Sequence, residues 1–176
     1  KGFAGSKSSG VTDGGTSSRV FGSFISWMQD KTAQVFVVAT ANDVSQLPPE
    51  LLRKGRFDEL FFVDLPNQSE REAIWKIQIA KYRRDPEKFD TTMLAKASEA
   101  FTGAEIEQAF VDAMYAAFAE GKEPTDLTIS LVLNEQAPLA KLMAEQITGM
   151  RNWAKGRARL ATSVVPEKNK SRKIAA

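Results

Sequence analysis

The sequence predicts an α/β layer, the C-terminal part of a parallel sheet, followed by an α-helical subdomain. Three observations carry that expectation. Val35-Phe36-Val37-Val38-Ala39 is an apolar run rich in β-branched and aromatic residues, too short for a helix and suited to a parallel strand buried on both faces. Phe57 to Val63 is a second such run, closed by Asp64-Leu65-Pro66-Asn67, where proline cannot continue a ladder. Beyond Pro66, capping signals and apolar residues at helical spacing replace the strand pattern.

Taken in order, residues 5–18 are rich in glycine and serine and are expected to form a mobile loop. Residues 17–30 are expected to be a helix, because Val20, Phe21, Phe24, Ile25 and Met28 recur at helical spacing and would pack on the sheet. The strand at 35–39 stops at Thr40-Ala41-Asn42-Asp43, and ligands in open α/β sheets sit beyond the carboxyl ends of strands. Asn42 therefore stands where it could hold a water against a phosphate. After Pro48-Pro49, Glu50-Leu51-Leu52 makes about one helical turn. Arg53 and Arg56 follow on either side of Lys54-Gly55, where glycine permits a tight bend, so two guanidiniums project from one surface loop. Taken alone, the two arginines could equally form surface salt bridges with Glu50, Asp58 or Glu59.

The helical part is expected to begin with a capping box at Ser69-x-x-Glu72 and to run to about Arg83, with Ile74, Ile77 and Tyr82 on its apolar side. Asp85-Pro86 breaks it. A helix near Thr92–Ala100 follows, and then a second capping box, Thr102 with Glu105, opens a helix whose core stripe is Ile106, Phe110, Ala113, Met114 and Ala117. Residues 126–136 read as either a short helix or an extended segment. Pro138 opens a longer helix with an apolar stripe of Leu139, Leu142, Met143, Ile147, Met150 and Trp153, to be covered by the preceding helices or by a partner. The expected domains are 1–66 (α/β), 67–130 (helical), 131–163 (C-terminal helix) and 164–176 (basic tail, disordered).

The segment 35–66, with Asn42, the Leu51-Leu52-Arg53-Lys54-Gly55-Arg56-Phe57-Asp58 stretch and Leu65-Pro66, resembles the second region of homology of AAA ATPases. The likeness extends to Gly10-Val11-Thr12-Asp13-Gly14-Gly15-Thr16-Ser17-Ser18-Arg19-Val20-Phe21-Gly22, to Thr102-Gly103-Ala104-Glu105-Ile106-Glu107-Gln108 and to Trp153-Ala154-Lys155-Gly156-Arg157-Ala158-Arg159. There it is similar to the AAA ATPases of plastid and cyanobacterial open reading frames. The resemblance implies a P-loop-NTPase-type sheet with a helical lid, ATP and Mg²⁺ as cofactors, and a homo-oligomeric ring, a hexamer, acting on a macromolecular substrate. By the same resemblance Asn42 is the sensor-1 residue that orients the attacking water. Arg53 and Arg56 are the arginine fingers that reach ATP in the neighbouring subunit, and Gly103 and Ala104 pack beside adenine and ribose. Capping and relief of crowding would also explain Thr102, Gly103 and Glu105. The family's proline between the arginines is Lys54 here. The loop after the acidic strand, the counterpart of residues 5–18, faces the axial channel in such rings, although glycine/serine loops also serve as plain connectors.

The 176 residues are 43% hydrophobic and 26% charged, ordinary values for a chain able to bury a core. Neither cysteine nor histidine occurs. That excludes disulfides, thiolate catalysis, imidazole bases and His/Cys metal sites, leaving carboxylates and arginines for any chemistry; no metal site is expected within the chain. A GxxxxGK[ST] phosphate loop and an acidic Mg²⁺-binding strand end are absent from the sequence, so the chain is expected to be the C-terminal portion of a longer ATPase and inactive alone. No apolar run approaches the roughly 18–20 residues that cross a bilayer, and a cytoplasmic or plastid-stromal location is expected. Residues 151–176 hold eight basic side chains against one acid on an otherwise acidic chain, which suggests contact with something anionic, nucleic acid (not favoured), a membrane surface or an acidic partner protein, or else a solvated terminus. The alternative to an ATPase portion is a non-catalytic assembly or partner-binding module.

Overall fold

The computed structural model describes residues 13–44, 47–53 and 55–162, with side chains from Arg19 onward. The chain divides into two compact units, Lys1–Leu60 and Phe61–Ala176. Residues 5–12 of the expected loop, Lys54 and the tail beyond 162 lie outside the described residues.

In the first unit, α1 spans Asp13–Asp30, so the helix begins within the expected loop rather than at its end. Phe24 and Trp27 stack with ring centroids 5.9 Å apart. The expected strand at 35–39 is the main correction: these residues carry no strand pairing, and Phe36 and Val38 are 92% and 75% exposed. A parallel strand buried on both faces needs neighbours in the sheet and helices over it, and none of these is supplied to it among the described residues. Pro49–Leu52 forms a 3₁₀ turn with Leu51 buried, as the sequence suggested.

The second unit opens with β1, Phe61–Phe62, shorter than the expected strand over 57–63. Its partner is β2, Arg159–Leu160, in parallel register with Phe61 opposite Arg159 and Phe62 opposite Leu160. The Ala161 N–H extends the ladder by donating to the Phe62 carbonyl at 2.9 Å. Between the strands run α2 (Gln68–Lys81), α3 (Thr91–Ala97), α4 (Gly103–Ala119), α5 (Asp126–Glu135), α6 (Leu139–Leu142) and α7 (Ala144–Ala154). The ambiguous segment at 126–136 is thus helical, with Thr125 as its N-cap. The expected long helix after Pro138 is broken at Met143, which ends α6 and precedes α7.

The core is built by α2 to α5. Trp75 and Ile79 from α2, Leu94 and Ala95 from α3, Ile106, Ala109, Phe110 and Ala113 from α4, and Ile129 and Leu133 from α5 form one buried cluster. Phe110 is its centre, met edge-on by Trp75 and Phe89 at centroid distances of 6.5 and 6.0 Å. The Trp75 indole N–H donates to Ser98 Oγ at 3.0 Å, and that hydroxyl donates to the Leu94 carbonyl at 2.8 Å, so no polar end is stranded. The α2 face corrects the sequence reading: Trp75 and Ile79 point inward with Ile74 and Tyr82 at the margin, while Ile77 is 62% exposed. Its capping box also lies two residues earlier than expected. Asn67 Oδ1 accepts from the Glu70 N–H at 3.0 Å and Glu70 Oε2 accepts from the Asn67 N–H at 2.9 Å. Ser69 instead donates its hydroxyl to Asn67 Oδ1.

A buried charge fastens the base of this bundle. Arg71 donates from Nε to the Ala95 carbonyl at 2.8 Å and from Nη1 to the Pro66 carbonyl at 2.7 Å. Burial lowers its pKa, against the opposing field of Glu99.

Candidate functional site

Asn42, Arg53 and Arg56 belong to the first unit, and Gly103 and Ala104 to the second. Asn42 lies in a bend after the extended segment and is exposed. Arg53 ends the 3₁₀ turn with extended backbone, its N–H on the Glu50 carbonyl at 3.3 Å, and its side chain is exposed. Gly55 follows at φ 91°, a left-handed conformation that favours glycine and makes the bend between the two arginines. Arg56 is half-buried, with Nη1 enclosed and without a hydrogen-bond partner. Among the described residues no ion pair joins either arginine to Glu50 or Asp58.

In the second unit, Gly103 and Ala104 are the first two residues of α4. The expected capping box is present. Thr102 Oγ1 accepts from the Glu105 N–H at 3.3 Å, and Glu105 Oε2 accepts from the Thr102 N–H at 2.8 Å and from its hydroxyl at 2.7 Å. Ala104 is exposed and Gly103 half-buried. A methyl group added at Gly103 would rest in ordinary contact on Ile74, 3.8 Å from Cδ1. Crowding within the chain therefore does not demand glycine, which leaves the position open to a ligand.

Two features escaped the sequence reading. Gln78, one turn beyond Ile74 on α2, keeps a buried Oε1 with no partner, an acceptor that nothing in the bundle satisfies. Glu105 also uses its second oxygen: Oε1 accepts from the Leu139 N–H at 2.7 Å. Burial pushes this carboxyl up, but the hydrogen bonds from Leu139 and Thr102 outweigh it and hold the pKa below its ordinary value. No local pattern announces either feature, because both depend on where α2 and α6 meet α4.

Farther along α4, Glu107 Oε1 takes both Lys81 Nζ at 2.5 Å and Tyr82 Oη at 2.8 Å, pinning the end of α2. These bonds, Lys81's first, lower the Glu107 pKa. Among the described residues no helix is long and apolar enough to cross a membrane, and no group of three or more carboxylates is placed to hold a metal ion.

Comparison with known proteins covers nearly the whole chain. Residues 3–65 match the model of the ATPase family associated with various cellular activities (AAA). The chain is 49% identical over 164 residues to the AAA domain-containing protein ycf46 of Pyropia yezoensis, covering 92% of this chain and 33% of that protein. It is 50% identical over 165 residues to ycf46 of Trieres chinensis, covering 93% and 33%. A proteasome-activating nucleotidase of Sulfurisphaera tokodaii is 38% identical over 95 residues, 53% of this chain and 24% of that protein. The chain thus spans about a third of the length of the ycf46 proteins it matches. Its first unit is AAA sequence and its likeness to ycf46 continues through the helical unit: the chain belongs to the AAA ATPase family.

Proposed function

We propose that the chain is the C-terminal portion of an AAA ATPase that hydrolyses ATP to remodel a macromolecule in a homo-oligomeric, hexameric ring. The observation that carries the reading is the family match over residues 3–65, which contain Asn42, Arg53 and Arg56. Asn42 positions the attacking water. Arg53 and Arg56 stabilise charge on the phosphoryl oxygens of ATP held by the neighbouring subunit, work for which a rigid, permanently charged fork is better suited than a lysine. The start of α4 holds the adenosine end, where Gly103 offers room and Ile74 an apolar wall, with the unsatisfied Gln78 Oε1 one turn away. ATP supplies the scissile phosphoanhydride bond, and Mg²⁺ neutralises the phosphates; no residue described here is assigned to the metal. The boundary between sheet domain and lid falls near Pro66. The protein is placed in the cytoplasm or plastid stroma, the latter in keeping with the ycf46 relatives. Without backbone amides and a lysine around the phosphates, this chain alone is expected to bind ATP weakly and not to hydrolyse it.

In the complete protein, Arg53→Ala or Arg56→Ala should lower turnover by about 10³-fold or more while leaving nucleotide affinity nearly intact, since only the transition state gains from the fingers. Turnover within a few-fold of wild type would make the arginines structural. A second reading is favoured by the stripe on α6 and α7, where Leu142 is 74% exposed. In it the helical unit is a non-catalytic partner-binding module, and a complete protein lacking GxxxxGK[ST] would decide for it.

A further inference from the structure

The segment after α5 is fastened at its two ends. At its start, Pro138 leaves α6 with no side-chain cap of its own, and the Leu139 N–H is capped instead by Glu105 from α4. At its end, Arg151 on α7 forks onto Asp64, with Nε 2.8 Å from Oδ2 and Nη2 2.9 Å from Oδ1, beside the pairing of β1 with β2. Between these clasps Leu139, Leu142 and Met143 stay exposed, and only the small side chains of Pro138 and Ala140 are buried, so the Glu105 cap carries much of the attachment of α6. Glu105 thus caps two helices at once, one oxygen for each. The first of them begins with Gly103 and Ala104, the residues assigned above to adenosine.

We propose that Glu105 couples nucleotide binding at the start of α4 to the position of the C-terminal segment, residues 138–161, so that this segment is a strap whose attachment depends on occupancy. The proposal rests on the adenosine assignment of Gly103 and Ala104. Its physical basis is that a carboxylate serving two helix starts cannot follow a shift of one without lengthening its bond to the other. The Asp64–Arg151 fork at the far end keeps the strap from leaving altogether. Coupling of this kind is reciprocal: whatever strains the strap must change nucleotide affinity by the same factor that nucleotide changes strap attachment.

The test is amide hydrogen exchange of the full-length protein with and without Mg·ATP, at nucleotide concentrations that saturate each variant. Saturation should change exchange at residues 103–106 and, by about fivefold or more, at residues 139–151. Glu105→Gln has a single acceptor oxygen and cannot cap both helices, so it should abolish the change at 139–151. Independently, Asp64→Asn, which loosens the far clasp, should shift the nucleotide dissociation constant about fivefold or more, and not in the Glu105→Gln background. Binding that alters 103–106 but leaves 139–151 unchanged would overturn the coupling alone. No binding, or binding without effect at 103–106, would overturn the adenosine assignment and the coupling with it. Should Glu105→Gln fail to fold, the Asp64→Asn arm decides, and an unchanged dissociation constant there overturns the proposal.

Discussion

The two units differ in how much of their stability lies within their own residues. In the helical unit Trp75, Ile79, Phe110 and Ile129 are fully buried. In the first unit an equally apolar run leaves Phe36 and Val38 almost bare. Helices satisfy their backbones internally and bury a stripe against the next helix along the chain, so α2 to α5 close a core within the 68 consecutive residues from Gln68 to Glu135. A parallel strand has both its hydrogen-bond partners and its covering layers elsewhere in sequence. The residues assigned to phosphoryl chemistry sit in the unit that depends on partners, and those assigned to adenosine in the unit that does not.

The largest expected effect breaks that comparison directly. Trp75→Ala or Phe110→Ala should cost the helical unit about 3–5 kcal/mol, whereas Phe36→Ala, at an exposed site, should stay within about 0.5 kcal/mol. Urea denaturation of the chain measures both, and comparable losses would mean that the strand run is buried after all. Next comes Arg71→Met, which strands the Ala95 and Pro66 carbonyls and should cost about 1–3 kcal/mol by the same assay. No loss would show that water takes over both acceptors.

The acid limb sharpens the comparison further. Glu105 and Glu107 both have folded pKa values below their ordinary 4.5. Their contribution is therefore present above that value and is lost as pH falls from it through the folded pKa. Thermal melts between neutrality and acid should show the helical unit weakening only below about pH 4.5, and Glu105→Gln should flatten the decline; a fall already complete at pH 6 would contradict it. The smallest effect is a gain. Ala100 sits at φ 67°, a left-handed conformation costly for a residue with Cβ, so Ala100→Gly should stabilise by about 1 kcal/mol.

Local signals in the sequence were the reliable ones. The Thr102–Glu105 box and the Phe110 stripe each depend on residues within a turn or two, and each appears as read; α2 instead ends at Lys81, closed by a left-handed Arg83 before Asp85-Pro86 is reached. The cap of α2 slipped from Ser69 to Asn67 because both begin an x-x-Glu frame, and only the geometry after Pro66 chooses between them. The strand at 35–39 failed because burial is a property of its neighbours. Arg71, Gln78, the Asp64–Arg151 fork and the second role of Glu105 were illegible, since each joins residues distant in sequence or hides a polar group where composition suggests exposure. For the candidate site, resemblance to the AAA family nominated Asn42, Arg53, Arg56, Gly103 and Ala104, and the structure adds only the surroundings of each.

The central claim is that this chain lends its arginines to a neighbour's ATP, and subunit mixing of the complete protein tests it most directly. One variant carries Arg53→Ala and Arg56→Ala, and the other lacks its own phosphate-loop lysine; each alone should be inactive. If the arginines act in trans, mixtures should recover ATP hydrolysis at interfaces that pair an intact phosphate loop with intact arginines, rising and falling with the mixing ratio. Mixed rings that form but hydrolyse no ATP at any ratio would contradict the account.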